Sequence, residues 1–170
     1  MKSINIRTLQ ADDVEALLAF EVQNREWFER HIDSRGSAFY SMQGIRAHIA
    51  AYLAGFAAGT WHPFVIEDQQ GRIIGRANLK DIDRAGFRAE VGYRIAEDAC
   101  GQGLATTALE HLIRVAQSQW KLRQLVASVY ASNLGSAKVL ERCGFTRAAL
   151  DRKDDSLHDY RFDLVTQRIE

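Results

Sequence analysis

The chain has 170 residues, 46% hydrophobic and 26% charged, and its 22 Lys+Arg balance 22 Asp+Glu to a formal net charge of zero. That length suits a single domain, 1–170, with a real core, and the charge balance argues against broad attraction to nucleic acid or an anionic membrane surface. No apolar run approaches the roughly 20 residues of a bilayer-spanning helix; the longest candidate, Ile49–Gly59, is short and broken by glycine.

Cys100 and Cys143 form no Cys-x-x-Cys pair and Met1–Arg7 shows no secretory signal, so reduced thiols in a cytoplasmic protein are expected. The five histidines are scattered without ligand spacing, and no metal is expected. One proline, Pro63, and the lack of linkers or repeats favour one domain.

Ile4, Ile6 and Leu9 nearly alternate, which predicts a first strand. A helix should start at Ala11-Asp12-Asp13, whose carboxylates suit the positive end of its dipole, and bury Val14, Leu17, Leu18 and Val22. Gln23–Phe39 mixes polar and aromatic residues and predicts no clear element. A second helix runs from about Met42 to Phe56 and stops at Gly59. Pro63–Glu67 and Arg72–Leu79 flank a polar turn ending in Gly71 and predict a hairpin. Ala89–Ala96 reads as a strand, Leu104 to Ala116 as an amphipathic helix, Gln124–Tyr130 as a strand and Ser132–Arg142 as a helix. Phe145–Leu150 and Asp159–Val165 are the last strand candidates. The expected fold is α/β of the α+β type: a mixed, mainly antiparallel sheet of six to seven strands, with helices on both faces and at least one parallel crossover.

The segment from Glu90 to Leu109 carries the chemistry. A strand ends, a turn with Gly101 and Gly103 follows, and a helix starts at once. The first turn of a helix leaves amides unpaired at the positive end of its dipole, so such a turn suits a phosphate. Gly-x-Gly before a helix is often only a tight turn, and from two glycines alone that reading is the commoner one. A Walker loop fits poorly because Leu104-Ala105 follows Gly103, and a dinucleotide fingerprint fits poorly because position 106 is Thr.

Cys100-Gly101-Gln102-Gly103-Leu104-Ala105 resembles the pyrophosphate loop of the GCN5-related N-acetyltransferases, Gln/Arg-x-x-Gly-x-Gly/Ala. Ala89 to Tyr93, Ala131 to Ser136 and Cys143-Gly144-Phe145 are also similar to that family. In this order and spacing they resemble its ribosomal-protein-alanine branch. The resemblance spans Ile4 to Leu164. Cys100 stands where the family places Gln or Arg, and Leu140 where many members carry a tyrosine acid.

The resemblance implies an acetyl-CoA-dependent N-acetyltransferase, in which a primary amine attacks the thioester directly and the thiolate leaves. The acceptor it implies is an amine, in the leading reading a protein N-terminus. Acetylation of a small metabolite or polyamine and a non-catalytic acetyl-CoA-binding module stay open as alternatives. Backbone groups near Ile95 and Ala96 would hold the pantetheine arm, Cys100, Gly101, Gln102, Gly103, Leu104, Ala105 and Thr106 would cradle the pyrophosphate, and Asn133 would bond the arm. Glu90 is the candidate base, or else an ion-pair partner of Arg94 or Arg76. Ser136 is the candidate acid and a further cofactor contact, or else a surface or capping serine. Cys100 is disfavoured as a nucleophile because no His lies near it in sequence. The acceptor groove would draw on Trp27, Phe28, His31, Phe39, Tyr40, His158 and Tyr160, with at least one of Trp27 and Phe28 in the core. Glu29, Asp33, Asp154, Asp155 and Asp159 would favour a cationic acceptor. Sheet-edge pairing would make a homodimer.

Overall fold

Five of the six residues from His62 to Glu67 are buried, a run that only a strand covered on both faces accommodates. Around it the computed structural model, which describes residues 3–30, 33–148 and 156–164, builds one sheet. Its strands are β1 (Asn5–Thr8), β2 (His62–Glu67), β3 (Ile73–Asp83), β4 (Arg88–Ile95), β5 (Gln124–Tyr130), β6 (Thr146–Arg147) and β7 (Leu157–Asp163). They lie in the order β1-β2-β3-β4-β5-β7-β6, antiparallel throughout except for β4 and β5. The helices are α1 (Val14–Gln23), α2 (Arg25–Glu29), α3 (Met42–Ala58), α4 (Leu104–Ser118) and α5 (Leu134–Arg142). α4 joins β4 to β5, as a parallel pair requires.

Side chains assign the faces. Arg76 and Arg94 reach Glu21 of α1 on one side, and Tyr93 reaches Ser136 of α5 on the other. Phe64 meets His111 of α4 edge-on, so α4 and α5 share that second face. α4 buries Leu104, Ala108, Leu109, Leu112 and Ala116 at helical spacing against the sheet. This is the mixed, mainly antiparallel sheet with helices on both faces that the sequence predicts.

Local boundaries differ for identifiable reasons. α1 starts at Val14, not Ala11, because Asp13 is drawn away. Arg7 donates to its two oxygens at 2.8 and 2.9 Å, and the Gln10 amide donates at 2.7 Å. The unassigned Gln23–Phe39 stretch holds α2 and a 3-10 turn at Ser37–Phe39. α5 starts at Leu134, after Asn133 caps it. β6 has only two residues and β7 begins at Leu157; the predicted strand ends Leu150 and Val165 lie outside the described residues. No described helix is long and apolar enough to cross a membrane.

His62 ties β2 to its neighbours and makes stability depend on pH. Its Nδ1 accepts from Trp120 Nε1 at 2.9 Å, so its Nε2 carries the proton and donates to Thr8 Oγ1 at 3.0 Å. Burial, with His111 nearby, pushes its pKa down to about 4. Below the ordinary imidazole value of about 6.5 the unfolded chain takes up a proton that the folded chain refuses. His62 is 2% exposed. Stability should therefore fall as pH drops from about 6.5 towards 4, by up to about 1.4 kcal/mol per pH unit from this group. In denaturant titrations the advantage of wild type over His62→Asn should shrink across that window, and an advantage that stays constant from pH 7 to 4.5 would exclude the assignment.

Candidate active site

β4 and β5 pair only at Arg88↔Gln124, Ala89↔Leu125 and Glu90↔Val126. Beyond that rung β4 stays on β3 to Ile95, and β5 stays on β7 to Tyr130. The two strands therefore part in the middle of the sheet. The Ala96 amide donates to Ile74 O at 2.9 Å, which sets the parity of the β3–β4 ladder. Since alternate residues face alternate neighbours, Tyr93 and Ile95 turn their N–H and C=O groups into the gap. Ile95, whose carbonyl lies 3.9 Å from the Cys100 thiol, thus offers a free amide to the gap, as expected. Ala96 does not, because its amide is already bonded.

A cleft of about 520 Å³ runs through this gap from one face of the sheet to the other. Tyr93, Cys100, Ala105, Asn133, Ser136 and Leu140 line it on the α4–α5 side. Phe28, Arg35, Tyr52, Asn78, Lys80 and Arg94 line it on the α1–α3 side. A molecule entering from one face can meet a second one entering from the other.

At the α4 edge the chain makes an anion cradle. Gly101 and Gly103 hold φ of 80° and 77°, a region that L side chains rarely adopt, and a Cβ on either would point into open space. Thr107 N–H is the first amide to find a helical acceptor, Gly103 O at 3.1 Å. The amides of Leu104, Ala105 and Thr106 are thus left without intrahelical partners at the positive end of a 15-residue helix. Buried Leu104 anchors the turn, while Gly101, Gln102 and Gly103 are exposed at its mouth. These features fit a pyrophosphate.

The Acetyltransferase (GNAT) domain family matches residues 3–146. The chain belongs to the GNAT acetyltransferase family. It is 30% identical over 155 residues to the probable N-acetyltransferase YjcK of Bacillus subtilis, covering 90% of this chain and 86% of that protein. A ribosomal-protein-S5-alanine acetyltransferase from Vibrio fischeri shares the fold with a TM-score of 0.87 at 20% identity, over 96% of this chain and 94% of that one. RimL, a ribosomal L7/L12 alpha-N-protein acetyltransferase solved in complex with coenzyme A, gives 0.84 at 20% identity, with 96% of both chains covered.

In this GNAT chain the residues singled out in the sequence divide into those the cleft gathers and those it does not. Cys100 lines the cleft, yet its thiol donates to Ala96 O at 3.3 Å. Burial, then the Glu97 and Asp98 carboxylates, push that thiol up, which disfavours the thiolate that a nucleophile needs. Asn133 lines the cleft, and its side-chain oxygen accepts from Ser136 N at 3.2 Å as the cap of α5. Ser136 is therefore the capped residue, not the capping one, and it too faces the cleft.

Glu90 sits on the last β4–β5 rung. Its partner is Lys80 at 3.7 Å, not Arg94 or Arg76, because both arginines turn to Glu21. Phe28 is 6% exposed and packs at 5.4 Å from Phe20, as expected for one of the two aromatics, and both Trp27 and Phe28 also line the cleft. Tyr160 departs from expectation: it is 3% exposed in the core. Phe39 and Tyr40 pack at 5.0 Å from each other outside the lining, and His158 sits on β7. His31, Asp154 and Asp155 lie outside the described residues.

Sequence reasoning missed Tyr93. Its hydroxyl donates to Ser136 O in a long bond of 3.5 Å, and burial pushes it up to about 12, so it stays protonated. The alternation of Val91, Tyr93 and Ile95 was the available signal, since it places all three on the α4–α5 face. Arg35, Asn78 and Lys80 were also missed, because nothing near them in sequence marks a cleft.

Proposed function

We propose that the chain moves an acetyl group from acetyl-CoA to a primary amine, in the first instance the α-amine of a protein or peptide N-terminus. The observation that carries this reading is the parting of β4 and β5 directly beside the amide cradle of α4. In it, the free backbone of Tyr93 and the amide of Ile95 would pair with the pantetheine arm as an added strand does, and Gly101 to Thr106 would hold the pyrophosphate. Cys100, its thiol turned inward, adds no donor, so the cradle rests on backbone amides. The Asn133 amide nitrogen remains available to the arm.

The acceptor enters from the α1–α3 face. Glu90, at the point where the strands part, would take the proton from the amine through a water, with Lys80 keeping the carboxylate in place. An α-amine with a pKa of about 8 needs little help to lose its proton. On the opposite side Ser136 and Tyr93 offer hydroxyl donors for the departing thiolate, in place of the tyrosine that Leu140 replaces. Positioning two reactants across one gap supplies much of the acceleration.

Mass-spectrometric detection of acetylated peptide, matched to release of free CoA thiol, tests the activity. Within it, Glu90→Gln should lower kcat by about 10²-fold, the range of general acid–base catalysis, and Ser136→Ala and Tyr93→Phe together should lower it by a similar factor. Undiminished kcat in Glu90→Gln would remove its role as base, and undiminished kcat in the double variant would remove the two hydroxyls.

A further inference from the structure

Among the described residues, the α1–α3 side of the cleft carries more positive charge than its carboxylates can answer. Glu21, 1% exposed, accepts from both Arg76 at 2.8 Å and Arg94 at 3.3 Å, so two guanidinium groups share one carboxylate. His48 adds no negative charge: its Nε2 accepts from Arg76 at 2.9 Å, and the ring is neutral. Arg35 lines the same cleft, packed at 4.7 Å over the Phe39 ring, with no carboxylate in ion-pair contact among the described residues. Lys80 is matched by Glu90. Asp33 is the one carboxylate among the described lining residues, and Tyr130 donates to it at 3.4 Å.

The donors are also arranged for an oxyanion. Arg94 is braced at 5.1 Å over the Phe28 ring and gives one nitrogen to Glu21, leaving the rest of its fork for the cleft, where its side chain is 18% exposed. Asn78 accepts from Trp61 Nε1 at 3.4 Å through its oxygen, and its amide nitrogen is without a partner among the described residues. A braced guanidinium, one with no ion-pair partner among the described residues and an amide donor on one wall match a carboxylate or phosphate better than a cation.

Resting on the N-acetyltransferase reading above, we infer that this wall is an oxyanion subsite, and that the preferred acceptor is an amine whose own molecule carries an anionic group close by, such as a peptide with an acidic residue after its N-terminus. The expectation of a cationic acceptor is thereby reversed. Burial, opposed by Glu21 and reinforced by Arg76, holds the Arg35 guanidinium below its usual range, and an incoming anion would relieve that.

The test uses the full chain, acetyl-CoA and three peptides that differ only in Asp, Asn or Lys at the second position, with β-alanine, propylamine and spermidine as small acceptors. Wild type should turn over the Asp peptide with kcat/KM about tenfold above the Asn peptide, the scale of one charge-assisted contact. Arg35→Gln should bring the Asp peptide down to the Asn level, Arg35→Lys should restore part of the difference, and acetyl-CoA affinity should not move. Equal rates for the three peptides, or a preference for the Lys peptide or spermidine, would overturn the subsite while leaving the transferase reading in place. β-Alanine acetylated faster than propylamine, with no peptide accepted, would uphold the subsite and overturn the peptide reading. Transfer to none of them would overturn both.

Discussion

Gly103→Trp is expected to reduce acetyl-CoA affinity by at least about 100-fold, or some 2.7 kcal/mol, in a calorimetric titration. Two effects act, the first on stability and the second on binding. An L residue at φ 77° pays about 1–2 kcal/mol of left-handed strain. The indole also occupies the open space in front of the Leu104, Ala105 and Thr106 amides, where a pyrophosphate would lie. Gly71 provides the control. It has the same φ of 77° and open surroundings, but sits in the β2–β3 turn and does not line the cleft. Gly71→Trp should therefore lose similar stability and keep full binding. Binding that survives in Gly103→Trp would remove the loop from the site, and a wild type that does not bind would remove the acetyl-CoA reading altogether.

What could be read from the sequence follows the range of the interactions involved. The α4 stripe and the Gly101–Gly103 turn are local, and both appear where periodicity and glycine placement predict them. Helix starts were less legible, because Asp13 looks like a first-turn acid until Arg7 claims it across the β1–α1 turn. The gap in the sheet was legible only through family resemblance, since nothing in the residues of β4 states where its pairing with β5 ends. Least legible was the charge of the α1–α3 wall. Arg76 meets Glu21 at a separation of 55 residues and Arg94 meets it at 73, distances over which no spacing rule operates. Of the carboxylates counted as candidates for an acceptor groove, Asp33 lines the cleft, whereas Glu29 pairs with Arg25 one helical turn away.

That buried cluster connects stability to the cleft. Arg94 is fixed on one side by Glu21 and on the other by the Phe28 ring, so the position of a cleft-lining cation depends on a carboxylate in α1. Arg76 lies beneath with its Nε unbonded, a buried polar atom whose cost the rest of the cluster must offset.

Glu21→Gln should accordingly destabilise the fold by about 3–5 kcal/mol, the usual consequence of removing one partner from a buried ion pair. The side chains of Glu21 and Arg76 are both 1% exposed, so solvent cannot screen the guanidinium left behind. For a chain of this size the thermal transition should fall by roughly 10 °C. Replacing both charges, as in Glu21→Leu with Arg76→Met, should recover much of the loss, because no uncompensated charge remains in the core and Arg94 is exposed enough to turn to solvent. The double variant separates two roles of Glu21. If Glu21→Gln raises the acceptor KM and the double variant regains stability with KM still raised, Glu21 holds Arg94 in position for the cleft as well as closing the core. If stability and KM return together, its contribution is to packing alone. A Glu21→Gln variant that unfolds within about 1 kcal/mol of wild type would show that water reaches Arg76, and the cluster would then lose its claim to rigidity.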